Sequence, residues 1–168
     1  MLKIGYLGPE GTYSSYAARL YDKENLKIPF NTINEVLNSL KSSEINQVVV
    51  PLENSINGSI VEVLDFLASK NNYHITAELN IEINHSVYSL DNINNEDVKV
   101  VYSHPQALAQ CYDYLINNFK NAKHKASNST ADSYNDLVNS TEKGVFIGPP
   151  WMKDNENIIV KGENVQSV

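Results

Sequence analysis

Apolar positions along the chain fall into two kinds of run that take turns. Short apolar runs at Lys3–Leu7, 48–50, 98–102 and Gly144–Gly148, with a weaker one at Lys123–Ala126, read as strands. Between them the spacing changes. Ile33, Val36, Leu37 and Leu40 fall at i, i+3, i+4 and i+7, and Leu108, Cys111, Leu115 and Phe119 repeat at intervals of three and four, which gives each segment one apolar helical face. Helices are also predicted over Tyr13–Tyr21, 60–67 and 130–138. In residues 74–89 the period is two: Leu79, Ile81, Ile83 and Val87 alternate with Asn80, Glu82, Asn84 and Ser86, which predicts one long strand. Residues 91–97 (DNINNED) are polar enough to be a loop. Strands alternating with helices predict an α/β chain with a largely parallel sheet. The long strand divides it into two similar halves, so two lobes with a ligand cleft between them are expected. A last strand is expected at 158–160, with residues after Lys161 mobile.

Composition narrows what such a chain can do. At 168 residues and 42% hydrophobic content it can bury a real core without cross-links. Cys111 is its single cysteine, so an intrachain disulfide is impossible and a reducing compartment is expected. No apolar run approaches the roughly 20 residues of a membrane span, and the N-terminus turns polar too early for a signal peptide. A cytoplasmic location is therefore expected, with no membrane partner. A net charge of −7 argues against nucleic acid, whose phosphates need clustered Lys and Arg. An anionic ligand would have to be held by local dipoles against that field.

The polar residues concentrate where strands give way to helices. Pro51, Glu53, Asn54, Ser55, Asn57 and Gly58 lie between the strand at 48–50 and the helix at 60–67, more chemistry than a turn requires. Thr32 with Glu35, Ser59 with Glu62, and Ser103 with Gln106 match the capping-box spacing. Thr12, Ser59, Ser103, and Ser129 with Thr130 each follow a predicted strand. In open α/β sheets ligands bind outside the carboxyl ends of the strands, where helix N-termini favour anions, and Gly8, Gly11 and Gly58 permit close backbone approach. Among the histidines, His104 beside Ser103 is the site candidate; His85 reads as structural, and His74 and His124 as surface. No Cys or His pair has metal-ligand spacing, GPEGT lacks the lysine of a P-loop, and there is no GxSxG elbow. The residues themselves point to a site for a small carboxylate.

Five segments carry a family resemblance: Gly8-Pro-Glu-Gly-Thr12, Pro51-Leu-Glu-Asn-Ser55 with Gly58, residues 78–85, Tyr102-Ser-His-Pro-Gln106 with Gln110, and Ser129-Thr-Ala131. In order and spacing the chain resembles prephenate dehydratase over nearly its whole length. The resemblance implies a two-lobed fold like type II periplasmic binding proteins, with residues 1–168 as a single catalytic domain. Lobe 1 is expected at approximately 1–78 plus 158–168 and lobe 2 at approximately 79–157. It implies decarboxylating dehydration of prephenate to phenylpyruvate without a cofactor or a metal. Glu53, Asn54, Ser103 and Gln110 are the implied catalytic residues, and Thr12, Ser55, Gly58, His104, Ser129 and Thr130 the implied substrate contacts. Prephenate is the implied partner, and a homodimer is left open.

Two departures accompany the resemblance. The family has a Thr-Arg-Phe triplet within a few residues of the equivalent of Gln166, and usually a phenylalanine-sensing ACT domain thereafter; this chain reaches Val168 without either. Pro149 and Pro150 replace a helical segment. The expected reading is a dehydratase catalytic domain cut short before the triplet; the alternatives are a non-catalytic carboxylate-binding module of the same fold and an arogenate dehydratase, and a prephenate decarboxylase is disfavoured by Pro51-Leu-Glu-Asn-Ser55.

Overall fold

The computed structural model describes residues 2–56, 58–69 and 73–167. They form two compact units, Met1–Ile81 and Glu82–Val168. The first is built from β1 (Lys3–Leu7), α1 (Tyr13–Tyr21), β2 (Leu26–Phe30), α2 (Ile33–Lys41), β3 (Gln47–Val49), β4 (Glu53–Asn54), β5 (Gly58–Ser59) and α3 (Val61–Ala68). Its main sheet is parallel throughout, in the order β2-β1-β3. Ile4 and Tyr6 of the central strand are buried, and α1 covers the sheet with the small residues Ala17 and Ala18. Val36 and Leu37 form the inward face of α2, as their spacing predicts, and Leu37 packs with Val63 and Phe66 of α3. Thr32 caps α2, its Oγ1 accepting from Glu35 N at 3.1 Å, while the Glu35 carboxylate accepts from Asn31 N at 2.9 Å.

Unit two contains β6 (Ser86–Ser89), β7 (Val100–Ser103), α4 (Pro105–Gln110), α5 (Tyr112–Asn118), β8 (Lys123–Ala126), α6 (Asp132–Val138), β9 (Gly144–Gly148) and β10 (Ile159–Gly162). Its sheet runs β10-β6-β9-β7-β8, parallel among β9, β7 and β8 and antiparallel where β6 meets β9 and β10. Both faces are covered. Val87, Val101, Val145 and Ile147 join Ala107, Cys111, Leu115 and Phe119 on one side, while Tyr88 and Phe146 meet Leu137 and Ile158 on the other. Burial pushes the Cys111 thiol up to about 12, so it stays a protonated core group.

Four expectations need correction. Residues 73–85 form no ladder, and only Ser86–Ser89 is a strand: alternation reports an extended chain with one side wetter than the other, and a strand also needs a neighbour to bond. The resemblance places residues 158–168 in the first lobe, yet Ile159–Gly162 is hydrogen-bonded to β6 of the second unit. The segment after Lys161 is tied down, with Val165 buried and its N–H donated to His85 O at 3.0 Å. Strand β2, with Pro29 inside it, was not foreseen; it is an edge strand, where a missing N–H costs no ladder bond. The prolines after Gly148 start a 3-10 helix, Pro150–Asp154. No described helix is long and apolar enough to cross a membrane.

Candidate functional site

In the first unit the polar loops follow β1 and β3 at the carboxyl edge of the parallel sheet. Thr12 is the N-cap of α1: its Oγ1 accepts from Ser15 N at 3.2 Å and donates to Pro9 O at 2.9 Å, so the hydroxyl serves the loop's own geometry. Tyr6, buried in β1, donates to Glu10 Oε2 at 2.6 Å, and Arg19 pairs with the same carboxylate. Burial, reinforced by Glu10, holds the Tyr6 phenol well above its ordinary pKa. The polar elbow after β3 is a small hairpin, Glu53 opposite Ser59 and Asn54 opposite Gly58. Asn54 Oδ1 accepts from Ile56 N at 2.9 Å, an Asx turn that shapes the tip. Gly58 has φ +76° and open space where a Cβ would be, so the backbone angle is what favours glycine there. Glu53 and Ser55 are exposed; Asn57 lies outside the described residues. Ser59 does not cap α3. It is held in the hairpin, and the helix starts from Ile60 with no side-chain cap.

The second unit gathers its candidates along one sheet edge. Strands β7, β8 and β9 end there, and because β6 runs antiparallel to β9, with Ser86 opposite Gly148, His85 lies at the same edge. Ser103, an implied catalytic residue by resemblance, is 0% exposed and donates to Ile147 O at 3.2 Å, an acceptor that Ser133 Oγ also approaches at 3.0 Å. Nor does Ser103 cap α4: its strand position turns it into the core, and the next residue takes the role, His104 Nδ1 accepting from Gln106 N at 3.3 Å ahead of Pro105. Ser129 and Asp132 exchange bonds, Ser129 Oγ donating to Asp132 Oδ2 at 2.9 Å and accepting from Asp132 N at 3.0 Å, while Thr130 O accepts from Ser133 Oγ at 2.5 Å. Ser129 and Thr130 are half-buried.

Gln110 is tied into a network that sequence reading did not anticipate. Its Oε1 lies 2.8 Å from Nε2 of His85, a residue only 3% exposed. The His85 N–H donates to Gln166 Oε1 at 2.8 Å, Gln166 Nε2 donates to Asn84 Oδ1 at 2.6 Å, and Ser167 N donates to Gln110 O at 2.8 Å. Gln166 and His85 are 81 positions apart, and no local pattern announces such a contact.

Burial lowers the pKa of His85 from 6.5, against a smaller opposing effect of the bond to Gln110. A buried neutral imidazole takes up its proton later than the same group in the unfolded chain. Below about pH 6.5 the unfolded state therefore binds more protons, and stability falls as pH falls. Urea titrations at intervals from pH 7.5 to 5 are expected to show this decline, and His85→Gln to flatten it, leaving a smaller slope from His124, whose pKa is lowered by burial too. An unchanged slope in the variant would assign the titration elsewhere.

Among the described residues no group of three or more His, Cys, Asp or Glu is placed to hold a metal ion. A shallow groove between α2 and α3, lined by Leu37, Lys41, Glu62, Asp65 and Phe66 among others, contains none of the residues expected at the site. Lys41 lies over the Phe66 ring there, and two carboxylates make the groove a poor seat for an anion.

The fold and the placement of these groups define a two-unit α/β protein whose polar loops collect at the carboxyl ends of its parallel strands, the position at which open sheets carry small-molecule sites. Sequence comparison makes the class particular. The prephenate dehydratase family profile matches residues 4–168, and this chain belongs to that family. A bifunctional chorismate mutase/prephenate dehydratase of Buchnera aphidicola is 39% identical over 142 residues, covering 82% of this chain and 36% of that protein. The chain thus spans little more than a third of that relative's length. Among solved structures, the prephenate dehydratase of Staphylococcus aureus superposes with a TM-score of 0.81 at 26% identity, over 100% of this chain and 62% of that one. That of Arthrobacter aurescens, in complex with L-Phe, gives 0.85 at 24% identity, over 99% and 56% respectively, a likeness of fold.

Proposed function

We propose that this chain carries the dehydratase chemistry of its family, converting prephenate to phenylpyruvate in the cytoplasm. The observation that carries the reading is the family match across residues 4–168. In the reaction one proton is taken up, the ring C–O bond breaks to release water, and the bond to the ring carboxylate breaks to release carbon dioxide. Its electron pair closes the aromatic sextet. Aromatisation supplies the driving force, so the protein's part is to hold a dianion in one pose and deliver a proton to the departing hydroxyl.

Carboxamides suit that task in an acidic protein, because they donate to carboxylates without adding a charge that must be buried. Gln110 and Asn54 are assigned this role. Glu53, beside Asn54 in the hairpin, is assigned to deliver the proton, and Ser55, His104, Ser129 and Thr130 are assigned to orientation. Ser103 is assigned to support, since its hydroxyl is spent inside the sheet. The test is formation of phenylpyruvate from prephenate by the purified protein, followed by absorbance in alkali, with arogenate as the competing substrate. Preference for arogenate would change the substrate. Binding of prephenate without turnover would favour a binding module, and neither binding nor turnover would overturn the proposal.

A further inference from the structure

We infer that His85, itself fixed by Gln166, is a positioning residue: it holds the carboxamide of Gln110 by its oxygen, so that the amide N–H groups are presented to a carboxylate of the substrate. The inference rests on the functional reading above.

A carboxamide can turn either end toward a ligand. Presented oxygen-first to a dianion it would repel, and presented nitrogen-first it donates two hydrogen bonds. What decides between the two is the partner on the far side. Amide oxygen only accepts, so with Gln110 Oε1 facing the ring at 2.8 Å the proposed arrangement requires His85 Nε2 to be the donor, the Nε2–H tautomer. The low exposure of His85 keeps the ring neutral, in agreement with the direction of its pKa.

The main chain that carries the donor is held from several sides. Gln166 Oε1 accepts from the main-chain N–H of His85, and that amide's own orientation is set by chemistry, because its nitrogen donates to Asn84 Oδ1. Val165 N donates to His85 O, and Ser167 N donates to the carbonyl of Gln110. Residues 165–167 thus brace the main chain of both partners of the His85–Gln110 bond. A glutamine side chain with several rotatable bonds is reduced to one presentation before any ligand arrives, and pre-organisation of this kind is worth most in the transition state.

The test combines a tautomer measurement with a double-mutant cycle. Nitrogen shifts of the His85 ring are expected to show the neutral Nε2–H form, and the Nε2 resonance to move in Gln110→Ala. In kinetics, His85→Phe is expected to lower kcat for prephenate by about 10- to 100-fold with a smaller change in KM, whereas His85→Gln, whose amide nitrogen reaches toward the place of Nε2, recovers part of the loss. In a Gln110→Ala background the His85→Phe effect on kcat should largely vanish, because the two residues act as one unit. Equal effects of His85→Phe in both backgrounds would show a merely structural role and overturn the inference, as would an Nδ1–H ring. A protein that shows the expected tautomer but does not turn over prephenate would instead overturn the functional reading, and with it the catalytic part of this one.

Discussion

Replacing Gln110 with alanine is expected to lower kcat/KM for prephenate by about 10- to 100-fold while leaving the thermal midpoint within a few degrees. The size follows from the bond that is lost: a hydrogen bond to a charged group contributes about 1.5–3 kcal/mol, and each 1.4 kcal/mol is a factor of ten. The fold should tolerate the change because Gln110 is half-buried at the end of α4, and its backbone bond from Ser167 survives truncation of the side chain. Asn54→Ala should reduce activity comparably, with some contribution from opening the turn that Asn54 Oδ1 closes with Ile56 N. Ser103→Ala should differ in kind. Removing a buried donor from Ile147 O costs about 1 kcal/mol of stability, and activity should fall only as far as stability does. Steady-state kinetics and melts on the three variants check this. Wild-type kcat/KM in Gln110→Ala would remove that residue from the site, and a severe kinetic defect in a well-folded Ser103→Ala would restore the assignment made from resemblance.

Phe146→Ala is expected to destabilise the second unit by about 3–5 kcal/mol, the range for emptying a buried aromatic site. The ring is 0% exposed on β9, which lies between β6 and β7. It packs against Tyr88 with centroids 5.3 Å apart and edge-on to Tyr134 at 5.7 Å. Tyr88 cannot collapse into the space, since it is anchored by its hydroxyl, which donates to Pro149 O at 2.9 Å. Natural domains retain only about 5–15 kcal/mol, so a loss of this size removes a large fraction of the total. The protein has a single tryptophan, Trp151, and it belongs to the second unit, so its fluorescence reports that unit in a denaturant titration. An unmoved fluorescence midpoint in Phe146→Ala would contradict the packing described for this face.

The parts of the fold that sequence revealed are those in which one residue's neighbours along the chain decide its state. Ile33, Val36, Leu37 and Leu40 announce α2 because helix geometry alone puts them on one face, and the boundaries of β1, α1, β8 and β9 are marked by changes of period and by Thr12 or Gly148. The misses occur where a distant partner decides. Residues 73–85 have the alternation of a strand and no strand to pair with. Leu26–Phe30 pairs despite Pro29 because β1 offers it an edge. Ser103 and Ser59 carry cap-like spacing, but pairing in a sheet and a hairpin claims them, and the cap falls on His104 or is absent. For the candidate site, the motifs propose Asn54 and Gln110, whereas the bonds joining Gln110, His85 and Gln166 depend on β6 meeting β10, which the sequence does not announce.

The order β10-β6-β9-β7-β8 also bears on how the chain is made. All three strands of the first unit's main sheet are complete by Val49, so that sheet can form while most of the polypeptide is still being synthesised. The second unit has no such advantage. Its first strand to leave the ribosome, β6, lies between its last two, β9 and β10, so this strand waits with both edges open while about 55 residues are translated, from Ser89 to Gly144. Polar residues suit that interval: Ser86 and Ser89 are the end residues of the strand, and charged or amide side chains crowd the segment that follows. Substitutions that make residues 86–97 more apolar are therefore placed to harm the yield of folded protein in cells out of proportion to their effect on the finished structure.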